Sequence, residues 1–118
     1  MSKILKLTKA IKINGNDVKE LHYDFENLTA KDKINAGRRM KEVGLPVTIE
    51  ETDPDYHFYL FAEAAGKADP SITTEDVLRI SAKDSQKGAA LARDFFYLDS
   101  EDSEESFKTE NSKEQSQE

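Results

Sequence analysis

A chain of 118 residues in which 36% of side chains are apolar and 35% charged has material for one domain with a small core. It has no cysteine, which excludes disulfides, thiolate metal sites and cysteine nucleophiles. The net charge of −7 is uneven: residues 100–118 hold seven acids and two lysines, a net −5, leaving −2 for the rest and no basic footprint for nucleic acid.

No apolar run approaches the ~20 residues that span a bilayer, and the first residues lack the continuous apolar segment of a signal peptide. A soluble, intracellular protein without a membrane partner is expected. Residues 3–25 alternate with a period of two around Asn14-Gly15-Asn16, where positive φ is cheap. This predicts a hairpin with strands near residues 10–13 and 18–24. The stretch before it is an edge strand or simply extended. Leu21, Tyr23 and Phe25 supply an apolar face, and Lys12, Glu20, His22 and Asp24 the opposite one.

Thr29 followed by Asp32 resembles a capping box and opens a helix over about residues 30–43, stopped by Gly44 and Pro46. Ala36, Met40 and Val43 form its apolar stripe, and Lys31, Lys33, Arg38, Arg39 and Lys41 largely solvate the rest. Those cations are a binding patch or a solvated face. Gly37 weakens the helix by roughly 1 kcal/mol relative to Ala and leaves room for close approach by another element.

After an extended linker, residues 47–53, Asp53 as N-cap, Pro54 at the first position and Gly66 past the end bracket a helix over about residues 54–65. It holds four of the ten Tyr and Phe residues in six positions. Tyr56, Tyr59, Leu60 and Ala64 form one stripe; Phe58, Phe61, Ala62 and Ala65 form another. A helix apolar on two sides needs partners on two sides. Either it is central to the domain or one stripe serves something outside. A loop follows, then a brief helix over residues 75–80 capped by Thr73 or Thr74. A last helix is opened by Asp84 or Ser85 and runs to about Leu98, with Leu91, Phe95 and Leu98 on one stripe. The single domain is expected over residues 1–99. Residues 100–118, polar apart from Phe107, are expected to be a disordered acidic tail.

Little here points to catalysis. Asp53, Asp55 and His57 alternate, and Glu63 follows, but two-residue spacing does not gather metal ligands on one helix face. His22 belongs with the solvated strand face. There is no phosphate loop, dinucleotide fingerprint or nucleophile elbow. No catalytic residue, metal or cofactor is expected, and binding remains as the function class.

The order of these elements resembles the tail assembly chaperones of long-tailed bacteriophages and prophages. The residues that carry the resemblance are Gly15-x-x-Val18-x-x-Leu21 in the hairpin and Leu28-Thr29-Ala30-Lys31-Asp32 at the capped helix. They continue with Ala62-x-x-x-Gly66 closing the aromatic helix, Leu78 and Asp84 ahead of the last helix, and Arg93-Asp94-Phe95-Phe96 near its end. The likeness covers roughly residues 5–98. It implies an α+β, mainly helical fold: an N-terminal β-hairpin followed by three to four helices. It also implies a non-enzymatic protein of the bacterial host cytoplasm, absent from the mature virion. Such a protein coats the tape-measure protein, keeps it soluble and gives way to tail-tube subunits. A longer form, made by ribosomal frameshifting, recruits the tail-tube protein, and this chain has the look of the short form. Self-association is left open.

Helix-in-groove recognition uses apolar anchors, and Tyr56, Tyr59, Leu60, Phe95 and Phe96 are the expected partner-binding residues. On that reading Tyr56, Tyr59 and Leu60 are at least partly exposed. The rival is a small cytosolic regulatory or inhibitor protein whose acidic tail mimics nucleic acid.

Overall fold

Asn14 and Gly15 both take positive φ, 53° and 83°, and Ile13 pairs with Asn16 across them. This two-residue turn matches the right-handed twist of the strands it joins. The strands are β1 (Lys3–Ile13) and β2 (Asn16–Tyr23), antiparallel, in a computed structural model that describes residues 3–98. The expected lead-in is therefore the first half of β1 itself: Lys3 pairs with Tyr23 and Leu5 with Leu21. Between the Lys6–Glu20 and Ile11–Val18 pairs the register shifts, and residues 7–10 of β1 stand opposite Lys19 alone. Such a bulge takes backbone amides out of the ladder.

One of those amides is answered from far along the chain. The Thr8 amide donates to both Asp84 carboxylate oxygens, at 3.0 and 2.9 Å, and the Thr8 hydroxyl donates to Oδ2 at 3.2 Å. Asp84 is fully buried. Burial alone pushes its carboxyl up. Hydrogen bonds from the Thr8 amide, the Ser81 and Thr8 hydroxyls and the Lys9 amide outweigh that and hold it below the usual carboxylate range.

Four helices follow: α1 (Ala30–Glu42), α2 (Pro54–Ala68), α3 (Thr74–Leu78) and α4 (Ala82–Arg93), the last running on into a π-helical turn, Asp94–Leu98. The fold is α+β and mainly helical, as the sequence implies. Thr29 and Asp32 form a reciprocal capping box on α1, and Thr73 and Asp76 form one on α3. Gly44, at φ 81°, closes α1: its amide donates to the Lys41 carbonyl, and that of Leu45 to Met40. Asp53 caps α2, with Pro54 at its first position.

Several boundaries differ from expectation. Gly66 lies inside α2, which continues to Ala68 and ends at Asp69. The last helix opens at Ser81, whose hydroxyl accepts from the Asp84 amide at 3.1 Å, so Asp84 sits in its first turn. Val43 is exposed, because α1 has ended before its stripe reaches the core. The expected tail lies outside the described residues.

The core centres on α2, which packs against α1, α3, α4 and β2. Eight of its fifteen residues are buried, so it is the central helix of the domain. The Asp24 amide donates to the Ala64 carbonyl at 3.1 Å and ties the end of the hairpin to it. Phe61 lies at the middle, 5.4 Å from the Tyr23 ring and 6.4 Å from Phe25. On its α4 side it meets Gly88, where a Cβ would stand 2.8 Å from the ring. Gly88, not Gly37, permits a close helix approach: a Cβ at Gly37 would meet nothing within 4 Å.

Candidate partner-binding surface

The structure separates the five candidate residues into two groups. Tyr56, Tyr59 and Leu60 are only 2%, 6% and 2% exposed. They cannot be the exposed stripe expected of them, because α2 is covered on both of its apolar sides. Phe58, on the other stripe, is half-buried, while Phe61, Ala62 and Ala65 beside it are buried. Phe95 and Phe96 behave differently. Phe95 is half-buried and stacks on Phe25 at 5.3 Å, while Phe96 is 39% exposed and meets Phe25 edge-on at 5.7 Å. The two rings are also edge-to-face with each other at 4.8 Å. Edge and offset contacts of this kind favour a fixed aromatic cluster.

This cluster borders a cleft of about 390 Å³ between the end of the hairpin and the π-helical turn. Tyr23, Phe25, Leu91, Phe95 and Leu98 supply its apolar lining, and Lys3, Asp24, Glu26 and Asp94 its charges. The stripe of Leu91, Phe95 and Leu98 is the one expected from the sequence. Leu98 is 58% exposed, which extends apolar surface beyond the cleft. A second, wider groove of about 690 Å³ runs between α2 and α4. Leu45, Phe58, Tyr59, Leu78 and Ile80 line it with the small side chains Ala82, Ala89 and Ala90, and Asp55 and Arg93 stand in its wall. Tyr59 thus reaches a groove edge although most of its ring is enclosed.

At the start of α2, reaching into the wall of this second groove through His57, there is a polar cluster the sequence does not announce. His57 is buried, with its Nε2 2.7 Å from the Glu50 carbonyl. A carbonyl only accepts, so Nε2 carries the proton. The His57 ring lies 5.3 Å from Tyr97. Burial, with Tyr56 and Glu50 adding to it, pushes the Tyr97 hydroxyl up to about 12. The Tyr56 hydroxyl is buried without a hydrogen bond of good geometry, and the Lys33 ammonium is the polar group that approaches it. Lys33 stands 5.9 Å from the centre of the Tyr56 ring and pairs with Glu50 at 3.1 Å.

Asp53, Asp55, His57 and Glu63 are not brought together. Asp53 is spent on the amides of Asp55 and Tyr56, and Glu63 pairs with Arg39 at 3.0 Å. Among the described residues no group of three His, Cys, Asp or Glu side chains could hold a metal ion, and no helix is long and apolar enough to cross a membrane. His22 lies on the exposed strand face, as its alternation implies.

No family model matches the chain, and no solved structure matches it. Among curated proteins it is similar to a dihydroorotase of Wolbachia sp. subsp. Drosophila simulans (strain wRi), 30% identical over 84 residues. That match covers 62% of this chain and 19% of the dihydroorotase. It is also similar to a dihydroorotase of Wolbachia sp. subsp. Brugia malayi (strain TRS), 33% identical over 66 residues, or 51% of this chain and 14% of that protein. The chain spans less than a fifth of the length of these relatives, so their activity does not carry over to it.

Proposed function

We propose that this protein is a tail assembly chaperone of a long-tailed phage or prophage. It binds segments of the tape-measure protein, keeps them soluble before the tail tube forms, and performs no catalysis. The observation that carries the reading is the apolar surface at the end of α4. There the half-buried Phe95 and the exposed Leu98 line a cleft with Tyr23 and Phe25, and the exposed Phe96 packs edge-on against Phe25 and Phe95 beside it. A soluble domain exposes such a continuous patch where something docks. Its position suits a helix laid in a groove and anchored by side chains one turn apart. The partner surface is accordingly Phe95 and Phe96 with Leu91 and Leu98, and no longer Tyr56, Tyr59 and Leu60. A longer frameshifted form recruiting the tail-tube protein, a place in the host cytoplasm and absence from the virion belong to the same proposal.

Co-expression with the tape-measure protein of the same phage or prophage tests it. The tape-measure protein should become soluble and co-purify with this chain. Phe96→Ser combined with Leu98→Ser should abolish co-purification while leaving the chain folded. If the tape-measure protein is no more soluble with the chain than without it, the reading fails.

A further inference from the structure

The outer face of α1 is a basic surface with an apolar centre. Lys31, Ile34, Arg38 and Lys41 recur at helical spacing on one face. Ile34 is 62% exposed. Lys33 and Arg39 are paired, to Glu50 and Glu63. Lys31, Arg38 and Lys41 have no ion pair or hydrogen bond among the described residues. Against Asp32 and Glu42, the five cations leave α1 at +3 in a chain of −7. Beside this face lies a cleft of about 400 Å³, lined by Ile34, Arg38, Lys41 and Val47 and walled by Glu50 and Tyr56.

Tyr97, the last described residue but one, reaches the Tyr56 and Glu50 wall of this cleft, while Leu98 lines the cleft at the hairpin. Tyr97 feels the charges of Lys33 and Glu50 and the Tyr56 hydroxyl, and its ring touches that of His57. Twenty residues follow Leu98. The first of them are Asp99, Glu101, Asp102, Glu104 and Glu105 with intervening serines, and then comes Phe107, the one aromatic of that stretch. A run of acids ending in a single ring is the complement of a row of cations around a single exposed Ile. The span permits it. Nine residues reach about 30 Å when extended, and a thirteen-residue helix is about 20 Å long.

We propose that the acidic segment 101–107 docks in cis on the outer face of α1. Its carboxylates lie along Lys31, Arg38 and Lys41, and Phe107 covers Ile34 and Val47. The docked segment occupies the basic face of the domain and shields it from other polyanions. This reading is independent of the chaperone proposal, which uses the cleft between the hairpin and the end of α4 and not the outer face of α1.

The absence of native cysteine allows a clean test. Ser106→Cys in the full chain carries a nitroxide, and amide signals are compared before and after its reduction. Amides of residues 31–41 should lose most of their intensity at low salt. They should recover at ~1 M salt, where the screening length falls to about 3 Å. Arg38→Glu with Lys41→Glu should remove the loss, and adding Glu104→Lys with Glu105→Lys should restore it. Both α1 positions are exposed and unpaired, so α2 and α4 signals should stay in place. A loss centred on the hairpin or α4, an even loss over the surface, or one that survives high salt overturns the proposal. So does a loss in a mixture where the nitroxide is on one population and the observed isotope on the other, which would assign the tail to a second copy.

Discussion

Replacing Gly88 by Ala asks whether α2 and α4 touch as closely as the structure has them. A Cβ there would stand 2.8, 3.0 and 3.1 Å from Cδ2, Cγ and Cε2 of Phe61. Carbon atoms prefer ~3.5 Å or more, so the ring would have to retreat by about 0.4–0.7 Å. It has no free direction: Phe61 is fully buried, with Tyr23, Phe25 and Phe58 around it. Overpacking of this kind costs about 1–3 kcal/mol. Ala gains about 1 kcal/mol over Gly in helix propensity, which offsets part of it. Gly37→Ala supplies the control, being helical with nothing near its Cβ, and should stabilise by about 0.5–1 kcal/mol. Urea unfolding followed by far-UV circular dichroism should therefore place Gly88→Ala about 1–3 kcal/mol below Gly37→Ala. Phe61→Leu in the Gly88→Ala background should recover part of the gap, a coupling that a double-mutant cycle isolates. If Gly88→Ala is as stabilising as Gly37→Ala, the close crossing is wrong.

Other consequences follow from named contacts. Asp84→Asn removes the charge that three donated hydrogen bonds from Thr8 converge on, and should destabilise by about 2 kcal/mol in urea unfolding. Because the folded Asp84 carboxyl lies below its unfolded value, its contribution is complete above the unfolded pKa of ~3.9 and is lost as pH falls through the folded pKa. The variant should accordingly lose less stability than the parent between neutral and strongly acid pH. Tyr56→Phe deletes a buried hydroxyl that lacks a hydrogen bond of good geometry, and thermal unfolding should be unchanged or raised; a clear drop would show that the approaching Lys33 ammonium serves it. Asn14→Val with Gly15→Val forces β-branched residues into positive φ and should cost more than 1 kcal/mol in the same urea assay.

What was legible in the sequence was local. Asn14-Gly15, Thr29 with Asp32, and Asp53-Pro54 each announce themselves within four residues, because turns and caps are settled by neighbouring backbone. The two apolar stripes of α2 were equally plain. Which of them would be covered was not, since that depends on Gly88 and Ala92, more than twenty residues away in α4. The bulge in β1 left one trace: strict alternation from Leu5 and Leu7 would turn Lys9 inward, and the register shift leaves Lys9 exposed. Asp84 reads locally as an ordinary first-turn acid, and only the folded chain brings Thr8 to it across 76 positions. The burial of His57 was illegible for the same reason: the linker that offers it the Glu50 carbonyl has no regular pattern to predict its path.

The central claim is that the end of α4 and the end of the hairpin hold a tape-measure helix. Hydrogen–deuterium exchange on the purified complex with the tape-measure protein measures this directly. The account predicts added protection in residues 23–26 and 91–98, with little change on the outer face of α1. Failure of the two proteins to form a complex, or protection confined to α1, would contradict it.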